Sequence, residues 1–330
     1  MTDFHIYGLG AALVDTEVEV TDEFLAQAGI QKGLMTLVDE SRQTELLALL
    51  EQHLVGSRRA SGGSACNSII AASYFGARTF YSCRVADDDN GHFFHHDTQA
   101  AGVRTRKQTL PAGTTGKCLV MITPDAERTM NTFLGMSAQL SEADLDLDSL
   151  FRSQYLYLEG YLVTSKSGRQ AAIRARELAE KHGVRTALSL SDPGMVRFFR
   201  EGLQEMLGQR VNLLFCNRDE ALEWARTDDI ELAIDALKAT ADTFAITLGK
   251  DGALVFDGEQ TIQVPGQPVR AIDTNGAGDM FAGAFLYAIT HGRNYAQAAA
   301  LANRAAAAVV GQYGPRLKPE QHALLLQGDQ

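Results

Sequence analysis

The residues Asp273-Thr274-Asn275-Gly276-Ala277-Gly278-Asp279 stand directly before the apolar run Met280-Phe281-Ala282-Gly283-Ala284-Phe285-Leu286. Two glycines let the backbone turn tightly and bring its N–H groups close to a ligand, and the helix predicted by the apolar run adds the positive end of its dipole. The combination is an anion hole. Asp279 at its edge has the chemistry to take a proton from an attacking hydroxyl, while the amides of Gly276, Ala277 and Gly278 stabilise charge on a transferred phosphoryl group. Helix capping by Asp273 or Asp279 and a glycine turn explain any one of these residues singly, but not the whole string.

Other segments carry weaker signals of the same kind. Ser61-Gly62-Gly63-Ser64-Ala65-Cys66-Asn67 leads into a helix, although Gly-Gly before a helix is common punctuation. Asn217-Arg218-Asp219-Glu220 follows an apolar strand, and an Asn followed three residues later by Glu also forms a capping box. Thr247-Leu248-Gly249-Lys250-Asp251-Gly252 reads as a turn between two strands and lacks the G-x-x-x-x-G-K-[ST] pattern of a P-loop. Gly8-Leu9-Gly10-Ala11-Ala12-Leu13 begins like a dinucleotide fingerprint. Leu13 replaces its third glycine and β-like residues follow where a helix should start, so that reading fails. Lone Arg128 reads equally as a solvated strand arginine, and Tyr161 as a core aromatic with a polar tip.

The elements that must hold these residues follow from periodicity. Short apolar runs at Phe4 to Gly8, Thr79 to Cys83, Tyr155 to Leu158, Thr186 to Leu190, Val211 to Phe215 and Phe244 to Leu248 predict buried strands. Between them Thr44 to His53, Asn67 to Phe75, Ser167 to His182, Glu231 to Ala241 and Met280 to His291 predict helices, and Ala296 to Ala308 another. The alternation predicts an α/β fold with an open, mainly parallel sheet sandwiched by helices. Asp15 to Val20 and Thr114 to Thr132 break the rhythm with a two-residue alternation, that of a sheet exposed on one face. They predict a small β-sheet lid from approximately residues 15–40 and 105–135, within one domain spanning 1–330.

Composition narrows the function. A formal charge of −11 without a basic block argues against binding a nucleic-acid polymer, yet leaves room for a small anionic ligand held by helix N-termini and placed cations. Cys66, Cys83, Cys118 and Cys216 lack metal-ligand spacing and read as buried free thiols. The N-terminal residues lack a basic region leading into an apolar stretch, and no apolar run reaches the length of a membrane helix, so a cytoplasmic location is expected.

The D-T-x-G-A-G-D string resembles the signature of the ribokinase-like, or PfkB, carbohydrate and nucleoside kinase family, and the G-G-x-x-x-N, N-x-x-E and T-x-G-x-x-G segments stand in that family's order. The likeness extends from about residue 4 to 315, with the adenosine kinase branch the best match through Asn275, S-G-G-S-A-C-N-S-I and Tyr161. One departure is Ala11-Ala12, where adenosine kinases usually carry Asn-Pro. The resemblance implies ATP-dependent phosphorylation of the primary ribose hydroxyl of a nucleoside, adenosine, with Asp279 as base and Gly276, Ala277, Gly278 and Arg128 receiving charge. It implies that Asp15, Gly62, Gly63, Asn67 and Asn275 hold the substrate and that Tyr161 stacks on the base. Thr247, Gly249, Gly252 and Asp273 fall on the nucleotide side, and Asn217 and Glu220 organise Mg²⁺ through water. A monovalent cation such as K⁺ and a monomeric or homodimeric state are compatible with the resemblance. Sugar phosphorylation of the ribose or fructose type, or nucleoside binding without turnover, are the competing readings.

Overall fold

The computed structural model describes residues 2–50, 58–107, 109–125 and 127–327. In chain order its strands are β1 Phe4–Leu9, β2 Leu13–Glu19, β3 Met35–Leu37, β4 Arg58–Gly62, β5 Thr79–Ser82, β6 Arg104–Thr105 and β7 Gly116–Ile122. They continue with β8 Arg128–Phe133, β9 Ser153–Glu159, β10 Arg185–Ser189, β11 Val211–Asn217, β12 Ala241–Thr247, β13 Ala253–Phe256 and β14 Thr261–Val264.

Nine strands form one sheet in the order β14-β13-β12-β11-β10-β9-β1-β5-β6. From β12 to β6 every pairing is parallel, and only the β12-β13-β14 edge is antiparallel. Alternate residues feed two cores, as buried parallel strands require. Leu213 and Phe215 of β11 pack on one side with the helices Ser64–Phe75, Ala277–Thr290 and Tyr295–Val310. Leu214 and Cys216 pack on the other with Lys166–Lys181, Arg200–Leu207 and Ile230–Thr240. This is the open, mainly parallel sheet sandwiched by helices expected from the alternation. The helix expected over 44–53 is Glu40–Leu49, and the end of that expectation, 51–53, lies outside the described residues.

The five-stranded sheet has the order β3-β8-β7-β2-β4, mixing parallel and antiparallel pairs. One face, with Val18, Leu119 and Met121, is covered by the helices Asp22–Gln27 and Glu40–Leu49 through Leu25 and Leu46. The opposite face corrects the reading of a sheet exposed on one side. Asp15 and Glu17 of the D-T-E-V-E-V run are buried, because that face turns toward the large sheet rather than toward solvent. All four cysteines are buried free thiols. Among the described residues no helix is long and apolar enough to cross a membrane.

Candidate active site

The chain leaves β1 toward β5 on one side and returns to β9 on the other, which places a topological switch point at the carboxyl ends of these strands. A cavity of about 650 Å³ opens there, and its other wall is the five-stranded sheet.

The Asp279 loop forms the floor. Gly276 caps the helix Ala277–Thr290 with φ 74°, and a Cβ at that position would meet the Pro315 carbonyl oxygen at 2.5 Å, so only glycine fits. The helix therefore starts at Ala277, and Asp279 sits inside its first turn rather than in front of it. The N–H groups of Gly276, Gly278 and Asp279 make no hydrogen bond to another described residue, while that of Ala277 reaches Thr274 O at 3.4 Å. Asp279 Oδ1 accepts from Ser64 Oγ at 2.6 Å and Oδ2 from Asn67 Nδ2 at 3.1 Å. Desolvation pushes the Asp279 carboxyl above the usual carboxylate range, opposed by these two hydrogen bonds and by the charges of Arg128 and Arg316.

Asp15 faces the cavity from β2, in register with Cys118 of β7. Its carboxylate accepts no hydrogen bond from a described residue, and desolvation pushes it up to about 7, opposed first by Arg316. Gly62 lies beneath it rather than on the cavity wall, since a Cβ there would stand 2.1 Å from the Asp15 carboxylate. Gly63 and Asn67 do line the wall, and the Asn67 amide is already engaged, with its Oδ1 accepting from Arg316 Nε at 3.1 Å. Tyr161 lines the cavity as well, its hydroxyl donating to the Ser191 carbonyl at 3.3 Å.

At the far end Asn217 and Glu220 form the capping box expected of them, with Glu220 N on Asn217 Oδ1 at 2.8 Å and Asn217 N on Glu220 Oε2 at 3.1 Å. Burial pushes the Glu220 carboxyl up to about 8, with Asp192 among the groups that add to the shift. Thr247 and Gly249 line this end, whereas Gly252 turns away and packs on the Val264 to Gly266 backbone. Asp273 does not reach the cavity. Wholly buried, it accepts from Asn275 N at 2.8 Å and Gly314 N at 2.9 Å and so clamps the loop from behind. The Asn275 side chain is taken up by the five-stranded sheet, accepting from Arg128 Nη1 at 2.9 Å and donating to Glu17 Oε1 at 3.5 Å. Arg128 thus reaches across the cavity from β8, and its charge acts on Asp279, Asp192 and Glu220.

Several participants escaped sequence reasoning. Ser64 lies within the Ser61 to Asn67 run, where nothing local marks it. Glu159, buried and pushed up to about 7 by desolvation, accepts from Ala11 N and Ala65 N at 2.7 Å each and ties the β1–β2 turn to the start of helix Ser64–Phe75. Arg316 and the apolar wall of Leu13, Met35, Leu37, Met130 and Leu134 carried no local signature.

Residues 38–322 match the pfkB family carbohydrate kinases. The chain belongs to this family. Adenosine kinase from Sinorhizobium meliloti superimposes with a TM-score of 0.92 at 34% identity, covering 98% of this chain and 99% of that one. A probable sugar kinase from Rhizobium etli gives a TM-score of 0.92 at 33% identity over 99% of both chains. Adenosine kinase of Saccharomyces cerevisiae is 25% identical over 95% of this chain and 96% of its own length. The fold and the class, a phosphotransferase acting on an alcohol group, are those the resemblance implied.

Proposed function

We propose that the protein transfers the γ-phosphoryl group of ATP to the primary ribose hydroxyl of adenosine. The observation that carries this reading is the Asp279 carboxylate, held by Ser64 and Asn67 in the first turn of a helix whose N–H groups face a cavity. In the reaction the ribose oxygen bonds to the γ-phosphorus, the bond from that phosphorus to the bridging oxygen of ADP breaks, and the hydroxyl proton passes to Asp279. The free amides of the loop and Arg128 receive charge as the phosphoryl group moves. Asp15 accepts from the ribose hydroxyls, for which a desolvated carboxylate with no hydrogen-bond donor among the described residues is suited.

The base preference rests on the wall opposite. Leu13, Met35, Leu37, Met130 and Leu134, with Tyr161, give the cavity an apolar stretch that suits a purine whose ribose lies on Asp15. Adenosine kinases among the similar proteins support the same choice.

Among the described residues no three His, Cys, Asp or Glu side chains converge as a metal cage. Mg²⁺ would be carried by the ATP phosphates and water, with Asn217 and Glu220 of the cavity wall beside it, where it would neutralise phosphate charge. The five-stranded sheet acts as a lid whose Arg128 completes the site, and the protein works in the cytoplasm.

A coupled ADP-release assay with ATP and Mg²⁺ tests the reading. Adenosine should be turned over faster than ribose or fructose at matched concentration. Faster turnover of a free sugar would transfer the assignment to sugar phosphorylation, and no ADP with any acceptor would leave a binding protein.

A further inference from the structure

Arg316 follows the helix Tyr295–Val310 in the segment Gly314-Pro315-Arg316 and is mostly buried. Its guanidinium is divided among three partners. Nη1 donates to Asp97 Oδ2 at 2.9 Å, Nη2 to Ser61 Oγ at 2.8 Å and Nε to Asn67 Oδ1 at 3.1 Å. Asp97 is itself anchored by the Ser61 backbone N–H and hydroxyl, so the fork is fixed at its outer end by an ion pair.

The consequence lies in the chemistry of an amide, which has one accepting end and one donating end. Because Arg316 offers only donors, Asn67 must turn Oδ1 toward it, and Nδ2 is left facing Asp279 Oδ2. A flipped amide would put two donors against each other at Arg316 and two acceptors against each other at Asp279. We propose that Arg316 is a positioning residue of the phosphoryl-transfer site, fixing the Asn67 amide so that it holds the Asp279 carboxylate toward the cavity. This rests on the reading of Asp279 as the base.

The electrostatics point the same way. Arg316 is among the charges holding down the Asp15 and Asp279 carboxyls, and it acts also on Asp97, on the Cys66 thiol and on the Tyr74 hydroxyl. Asp279 faces Arg128 from β8 besides, and its charge is felt by Asp15, Tyr157, Glu159 and Tyr161. Removing the Arg316 cation leaves this acidic cluster with Arg128 alone among the positive groups named, so the ionised form of Asp279 becomes harder to keep.

The test uses the full chain with Arg316→Gln and Arg316→Lys. Titration of the Asp279 carboxyl carbon by ¹³C NMR, assigned with Asp279→Asn, should give a higher midpoint in Arg316→Gln and a midpoint near wild type in Arg316→Lys. With saturating adenosine, where Asp15 is engaged by substrate, the acid limb of kcat should move to higher pH in Arg316→Gln, and kcat at pH 7 should fall about 10- to 10²-fold. Arg316→Lys keeps the charge but not the three-way fork, so its acid limb should stay in place while kcat falls less. In an Asn67→Ala background Arg316→Lys should cost less than about threefold more, because the path through the amide is already gone while the charge is kept. A merely structural arginine would move melting temperature and leave the NMR midpoint and the acid limb unchanged, which would overturn the proposal, as would fully multiplicative effects with Asn67→Ala. If Arg316→Gln does not fold, the Arg316→Lys and Asn67→Ala cycle decides by the same criterion. Wild-type protein that releases no ADP would remove the kinase reading, and the NMR midpoint would still decide whether Arg316 governs Asp279.

Discussion

The two sheets bury their residues in opposite ways. The nine-stranded sheet has helices on both faces, and its strands supply apolar side chains to two cores while chemistry is confined to the loops at their carboxyl ends. The five-stranded sheet has helices on one face only, and its other face supplies Asp15, Cys118, Arg128, Met130 and Thr132 directly to the cavity. A doubly covered sheet gives rigid strand ends from which a base and free amides can be aimed. A singly covered sheet leaves a whole surface open to a ligand, at the cost of burying carboxylates such as Asp15 with no hydrogen-bond donor among the described residues. On the proposed function, bond making belongs to the large sheet and selection to the small one.

The sharpest way to break that division is Asp279→Asn. The substitution keeps the side-chain shape while removing the basic carboxylate, so kcat should fall roughly 10²- to 10⁴-fold with ligand affinities little changed. Near wild-type rates in a single-turnover assay would remove the chemistry from the large sheet.

Arg128→Ala tests the one group that crosses the division. Although it belongs to the small sheet, its charge reaches Asp279, so kcat should drop by about 10²-fold while adenosine affinity changes by much less. A loss confined to KM would return Arg128 to the recognition surface.

Asp15→Ala should do the reverse, weakening adenosine binding by about 10- to 10²-fold and leaving ATP binding in place, because each lost charge-assisted hydrogen bond is worth roughly 1.5–3 kcal/mol. Calorimetry with each ligand separately distinguishes this from an equal loss of both, which would make Asp15 structural. The wild-type affinity should also carry a pH dependence. The free carboxyl ionises at about 7, and only the ionised form accepts from both hydroxyls, so adenosine should bind more tightly as pH rises through 7. Asp15→Ala should lack that step.

The smallest effect concerns stability. A carboxyl raised in the folded state contributes stability in full below its unfolded pKa and loses it as pH rises from about 4 toward 7. Asp15→Asn escapes that loss, so its melting temperature should exceed that of wild type by a few degrees at pH 8, with the difference closing near pH 4. An equal melting temperature at pH 8 would mean that the small sheet ionises Asp15 without penalty.

Much of this was written in the chain. The glycine spacing before the helix Ala277–Thr290 announced a tight turn because backbone conformation is a local property, and Gly276 in its left-handed conformation is the residue that makes it. The strands and helices were legible because side-chain periodicity depends only on near neighbours. Capping at Asn217 and Glu220 was legible for the same reason, since both partners lie within one turn. The alternation of Asp15 to Val20 announced a strand but not which side faced water, as burial of Asp15 and Glu17 depends on what packs against them.

What only the tertiary structure decided are the contacts that span the chain. Arg316 meets Asn67 across 249 positions, Ser64 meets Asp279 across 215, and Arg128 meets Asn275 across 147. Strand order brings these groups together, and strand order follows from the packing of whole layers, which no window of sequence contains. The sequence alone therefore determined the glycine turn and the carboxylate that stands in the first turn of the helix behind it. The fold decided the company that residue keeps, and with it the desolvation and hydrogen bonds that set the ionisation of Asp279.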